Sequence, residues 1–127
     1  MRVRVHSYTR RKPIPSGHLR AEPPEGSHWT PGTRDVYIGK DLVGHYRIEY
    51  TLDRKSADIR WVVVRGDIRG KGIGRRIVEK ILRDLRDDGV ETVCVVPRAE
   101  AHGFWEKMGF KADEYCFGTN MLMKRLD

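Results

Sequence analysis

The chain has 127 residues, 39% hydrophobic and 34% charged, with a formal net charge of +7. That length supports one domain around one core, and no apolar run approaches the roughly 20 residues that a membrane span needs. The leader MRVRVHSYTRRKP lacks the apolar stretch of a secretion signal, and the two cysteines, Cys94 and Cys116, sit among apolar or aromatic neighbours, which predicts buried thiols in a reducing, cytoplasmic setting.

The charge is uneven. Residues 1–34 carry seven cations against two acids, and the rest of the chain carries 18 against 16. VRVHSY, residues 3–8, alternates enough for a short strand. Residues 12–34 hold five of the six prolines, which excludes a regular helix and predicts an extended or irregular arm. DVYIG and LVGHYRIEY then read as strands joined by a tight turn at GKD, and ADIRWVVV as a third strand after the turn TLDRKS. RGKGIGRR, residues 69–76, separates that strand from the clearest helix: Ile73, Ile77, Ile81 and Leu85 recur at spacing four, with Val78 and Leu82 on the same face. Gly89 stops this helix as a left-handed cap. TVCVV reads as a buried strand, and a second helix runs from about Ala99 to Met108 and ends on Gly109. FKADEYCFG and NMLMKRL read as two closing strands. The order of elements predicts a single-domain α/β (α+β) fold with a mixed, mostly antiparallel sheet and two main helices.

Glycines between a strand and a helix let backbone N–H groups approach a ligand, and a helix N-terminus attracts phosphate. Arg69, Lys71, Arg75 and Arg76 crowd a helix start that ordinarily prefers acids, a local cost that a bound polyanion offsets. Arg75 and Arg76 are adjacent and do not both face one phosphate, so one of them reads as solvated surface. A dinucleotide fingerprint fails because Arg75 stands where its third glycine belongs. A P-loop fails on spacing and on the absent Ser or Thr.

The arrangement that fits is R-x-x-G-x-G at Arg69, Gly72 and Gly74, which resembles the pyrophosphate loop of the GNAT N-acetyltransferase superfamily. VVVRGDIRGKGIGRRIVEKIL is similar to that family's strand, turn and helix, and AHGFWEKMGF to its second signature. The resemblance spans roughly residues 35–127, leaving 1–34 as a basic arm. It implies acetyl-CoA as cosubstrate and direct attack of a primary amine on the thioester in a ternary complex. The family's central strands splay apart around the pantetheine arm. By matching position, Val62, Val63 and Val64 supply strand backbone to that arm. Arg69, Gly70, Lys71, Gly72, Ile73, Gly74 and Arg75 hold the pyrophosphate, with Phe104 and Trp105 as core and pocket wall.

Three departures bear on chemistry. Trp105 replaces the tyrosine that protonates the thiolate in many relatives, and an indole N–H is not a usable acid near neutral pH. Arg98 stands where many members have asparagine. The two helices that build the acceptor pocket have no counterpart, so the N-terminal helical part is reduced. Asp58 is the positional candidate for the base, or else a strand-end acid beside Arg60. Glu49 and His45 are further candidates, and His102 reads as a surface or capping residue. No metal site is expected.

The sequence is consistent with three functions: an amine acetyltransferase, a CoA-binding sensor or adaptor with weak chemistry, and a nucleic-acid binder using the basic arm with Tyr8 and Trp29. The acceptor amine is unidentified, no membrane partner is expected, and a homodimer is open.

Overall fold

The proline-rich stretch contains a strand. A computed structural model describes residues 17–25, 31–112 and 119–126, and its first element is β1 (Leu19–Glu22). β1 pairs antiparallel with β2 (Thr33–Ile38), from Leu19↔Ile38 to Glu22↔Asp35. Leu19 and Ala21 pack against the core while Arg20 lies over the Tyr37 ring at 4.9 Å. Four residues between prolines are too short to show a period, so the sequence reading of an arm missed an edge strand. The strand expected at 3–8, Tyr8, Trp29 and Cys116 lie outside the described residues.

The hairpin forms where expected. β2 turns through Gly39 and Lys40 into β3 (Asp41–Tyr50), with Gly39 at φ 62°, the positive value that a two-residue hairpin turn requires at its first position. A turn at 51–55 leads to β4 (Ser56–Val64). Here Asp53 Oδ1 accepts from Thr51 Oγ1 at 2.7 Å and from the Lys55 N–H at 3.0 Å.

β4 decides the shape of the sheet. Its register with β3 runs Glu49↔Asp58 and Ile48↔Ile59, then jumps to Arg47↔Trp61, so Arg60 is the extra residue of a β-bulge. Before the bulge Ala57 and Ile59 face the core, and after it Val62 and Val64 do, which places Arg60 and Trp61 both on the exposed side. On its other edge β4 runs parallel to β5 (Thr92–Val95), but only from Ser56↔Thr92 to Ile59↔Val95. Beyond Ile59 the two strands part. β6 (Leu122–Arg125) closes the sheet antiparallel to β5, giving the order β1 to β6 in sequence. Of the strand expected at 110–118, Lys111 makes a bridge to Met123, and 113–118 lie outside the described residues.

Helix α1 (Ile73–Asp87) buries Ile73, Ile77, Val78, Ile81 and Leu85 on the sheet, the face that the spacing predicts. It stops where Gly89 takes φ 90°, with Val90 N–H bonded to Leu85 O at 3.0 Å and Gly89 N–H to Arg86 O at 3.0 Å. That pair of bonds is a Schellman motif, and the two residues that it joins, Leu85 and Val90, are both buried in the core. Helix α2 (His102–Lys107) ends in the same way: Gly109 takes φ 95°, and Phe110 N–H reaches Trp105 O at 3.1 Å. Trp105 and Phe110 are its apolar contact, edge to face at 5.3 Å. A short 3₁₀ turn, Ala99–Ala101, precedes α2. Both helices share one core with the sheet, and no helix among the described residues is long and apolar enough to cross a membrane.

Candidate active site

The chain leaves β4 through a 3₁₀ turn at Gly66–Ile68, whose Ile68 is fully buried and pins the loop to the core. Gly70 follows at φ 78° and Gly72 at φ 84°, the latter as the residue that caps α1. A Cβ on either glycine would meet nothing within 4 Å, so packing does not demand glycine at these positions. The backbone does, because the left-handed region costs an ordinary residue roughly 1–2 kcal/mol. No side chain caps the helix and no acid occupies its first turn. The first N–H groups of α1 therefore face open space, a ready site for an anion.

That space is a cleft of about 410 Å³. Gly70, Gly72, Gly74 and Val64 line it together with Phe104 and Lys107 of α2 and Met108 just after that helix. Arg69 and Arg75 flank it. Arg69 is tethered by its Nε to the carbonyl of Val64 at 3.2 Å, and Arg75 lies 3.3 Å from Glu79. Arg76 turns away and donates to Gly17 O at 2.6 Å, which separates the adjacent arginines. Four cationic side chains were expected around the glycines; Arg69, Arg75 and the unforeseen Lys107 line the cleft.

Seven of the twelve residues expected at the cosubstrate, Val64, Arg69, Gly70, Gly72, Gly74, Arg75 and Phe104, line this cleft. Val62, Val63, Lys71, Ile73 and Trp105 do not. Ile73 is buried in the core beneath the helix start. Trp105 is 6% exposed, wedged edge to face against Phe104 and Phe110 at 5.2 and 5.3 Å. It is core; Phe104 beside it is the wall. The signal for Lys107 and Met108 was in the sequence: with Phe104 they stand at i, i+3 and i+4, one face of a helix.

A second cleft, about 350 Å³, opens where β4 and β5 part. Asp58 and Arg60 contribute from β4, Cys94 and Val96 from β5 and its end, and Met121 from the segment before β6. Asp58 and Cys94, partners in the parallel register, alternate with core residues and so lie on the sheet face opposite α1. Burial raises the pKa of the Asp58 carboxyl above the ordinary aspartate value, Arg60 opposes this and Glu49 adds to it. Glu49, across the register from Asp58, pairs with Arg47 at 2.5 Å and reaches Arg60 at 3.6 Å. His45 is exposed on β3, and His102 lies 3.3 Å from Glu106 on α2, so neither joins Asp58 in lining this cleft.

No tyrosine among the described residues lines either cleft. Tyr46 borders a small crevice against α1, where burial first and Asp84 second push its pKa up to about 12. It cannot act as the acid that Trp105 does not supply.

Residues 3–110 match the Acetyltransferase (GNAT) family. The match begins inside the basic leader, well before the start near residue 35 suggested by the two motifs. An uncharacterized N-acetyltransferase of Chlorobaculum tepidum is 42% identical over 65 residues, covering 51% of this chain and 39% of that protein. The chain thus matches well under half of that relative's length. An acetyltransferase from Thermus thermophilus shares the fold at a TM-score of 0.62 with 22% identity, over 74% of this chain and 63% of the other. A Bacillus subtilis acetyltransferase, crystallised in complex with CoA, does so at 0.60 with 16% identity, over 75% and 76%.

Proposed function

The chain belongs to the acetyltransferase (GNAT) family, and from that premise we propose that it transfers an acetyl group from acetyl-CoA to a primary amine. The observation that carries the reading is the start of α1: uncapped N–H groups behind two positive-φ glycines, opening on a cleft flanked by Arg69, Arg75 and Lys107. A pyrophosphate fits that donor set, and Val64, Phe104 and Met108 give an apolar wall for the arm that follows. Acetyl-CoA supplies the activated acyl group as a thioester.

The second cleft, on the other side of the parting strands, takes the amine. Asp58 accepts the amine's proton, directly or through a water, as the N–C bond forms and the C–S bond breaks. Its raised pKa makes it a stronger base than an ordinary aspartate. Glu49 is engaged by Arg47 and serves to hold that guanidinium. The departing thiolate has an intrinsic pKa of about 8.5 and takes its proton from water, so a tyrosine acid is dispensable. Holding amine and thioester together supplies the bulk of the acceleration, up to roughly 7–11 kcal/mol in well-oriented systems.

The replacement of the usual tyrosine by a buried Trp105 favours a second reading, CoA binding without transfer. Acetyl-CoA incubated with the protein and a panel of amines, with free thiol followed over time, separates the two. Amine-dependent thiol release is expected; CoA binding with no release from any amine would leave the sensor reading.

A further inference from the structure

The second cleft carries two opposite charges that the fold leaves without hydrogen bonds. The Asp58 carboxyl makes no hydrogen bond or close ion pair among the described residues, although burial has partly stripped it of water and only the charge of Arg60 favours its ionised form. Arg60 makes no hydrogen bond, and its one ionic contact, to Glu49 Oε1, is 3.6 Å, beyond hydrogen-bond reach. Its side chain is 50% exposed. The competition for Glu49 goes to Arg47, at 2.5 Å, which also lies 5.6 Å from the Trp61 ring centre. Arg60 is attracted to Glu49 and to Asp58, yet its N–H donors stay unspent on this face. Arg60 occupies the bulge: the register skips it, so it has no direct cross-strand partner. The rest of the cleft is apolar or weakly polar, with Val96 64% exposed beside Met121 and Cys94.

A carboxylate and a guanidinium two strand residues apart, about 7 Å between Cα atoms, complement a ligand that bears an ammonium and a carboxylate close together. We propose that the acceptor is an α-amino acid with an apolar side chain. Arg60 binds its carboxylate, Asp58 faces its amine, and Val96 and Met121 receive its side chain. A polyamine would bring like charge against Arg60, and a simple alkylamine would leave that guanidinium unused. The inference rests on the transferase reading and gives it a substrate class. The reaction is then amino acid plus acetyl-CoA to N-acetyl amino acid plus CoA thiol, with the amine proton passing to Asp58.

The test compares L-leucine, L-methionine and L-phenylalanine with their amides as acceptors, for the wild-type chain and Arg60→Gln. A bidentate Arg–carboxylate contact supports a preference of about tenfold or more for the acid. The amide's amine is less basic and more available at neutral pH, so that bias runs against the expected result. Arg60→Gln should lower kcat/KM for the acids by about tenfold and leave the amides within about threefold. A merely structural role for Arg60 would move both classes together. Equal use of acid and amide by the wild type, an unchanged preference in Arg60→Gln, or no turnover of any acid while CoA still binds would each overturn the proposal. Calorimetry of CoA on the same preparation keeps the two readings apart: failure to bind CoA strikes the transferase reading itself.

Discussion

Gly74 sits in the first turn of α1 with ordinary helical backbone, and a Cβ there would meet Val64 Cγ2 at 3.5 Å and the Phe104 ring at 3.8 Å, which is normal contact. Nothing in the fold demands glycine at this position. Gly74→Ala should therefore stabilise the ligand-free protein by up to about 0.5–1 kcal/mol, the usual gain in a helix. The same methyl projects into the cleft, so CoA affinity should fall. Thermal melts with and without CoA check both; a variant that loses stability and keeps its affinity would contradict the placement. Asp58 behaves differently. Its folded pKa is raised, so wild-type stability declines as pH rises from the unfolded value, about 3.9, through the folded one. Asp58→Asn removes that decline: the variant should gain on the wild type between about pH 3 and pH 7, while its transfer rate falls at neutral pH and partly recovers at high pH. Denaturant curves at the two pH values and a pH–rate profile read these effects, and a stability gap independent of pH would refute the burial argument.

At the scale of elements, α2 divides its work between neighbouring residues. Trp105 faces Phe110 and the core, and Phe104 faces the cleft. Trp105→Ala should cost about 3–5 kcal/mol by opening a cavity. Trp105→Phe should cost far less and retain CoA affinity and most of kcat. Phe104→Ala should weaken CoA binding more than it lowers the melting temperature. A Trp105→Phe protein that binds CoA but loses activity by orders of magnitude would make the indole N–H catalytic. Much of this was legible in the sequence. Glycine after a run of helical period marks a left-handed stop, and both Gly89 and Gly109 are such stops. The glycine loop was legible because motif and spacing concern consecutive residues. The Arg60 bulge was not, because it is a property of register between two strands, and ADIRWVVV alone does not show which residue β3 skips. β1 was hidden by its prolines, and the second cleft by its assembly from three separate segments.

For the whole molecule, β4 is the strand that serves both clefts: Val64 lines the first, and Asp58 and Arg60 line the second, where the pairing of β4 with β5 ends at Ile59 and Val95. From Asp58 to Val64 is six strand residues, about 20 Å, the span that an extended arm held at the loop would have to cover to meet an amine at Asp58. If the native state alone binds CoA, saturation at about one hundred times Kd adds about 2.7 kcal/mol, a rise of about 10 °C in Tm. The most direct measurement is a calorimetric titration of CoA into the wild-type chain and into Gly72→Asp. An aspartate at that position loses roughly 1–2 kcal/mol to the left-handed backbone and its Cβ clashes with nothing within 4 Å, so against the usual stability of about 5–15 kcal/mol for a domain the fold should survive. Its carboxylate would sit against the N–H groups assigned to the pyrophosphate. Clear binding to the wild type and none to the folded variant is the expected result; equal affinity in both would contradict the placement of the pyrophosphate at this loop.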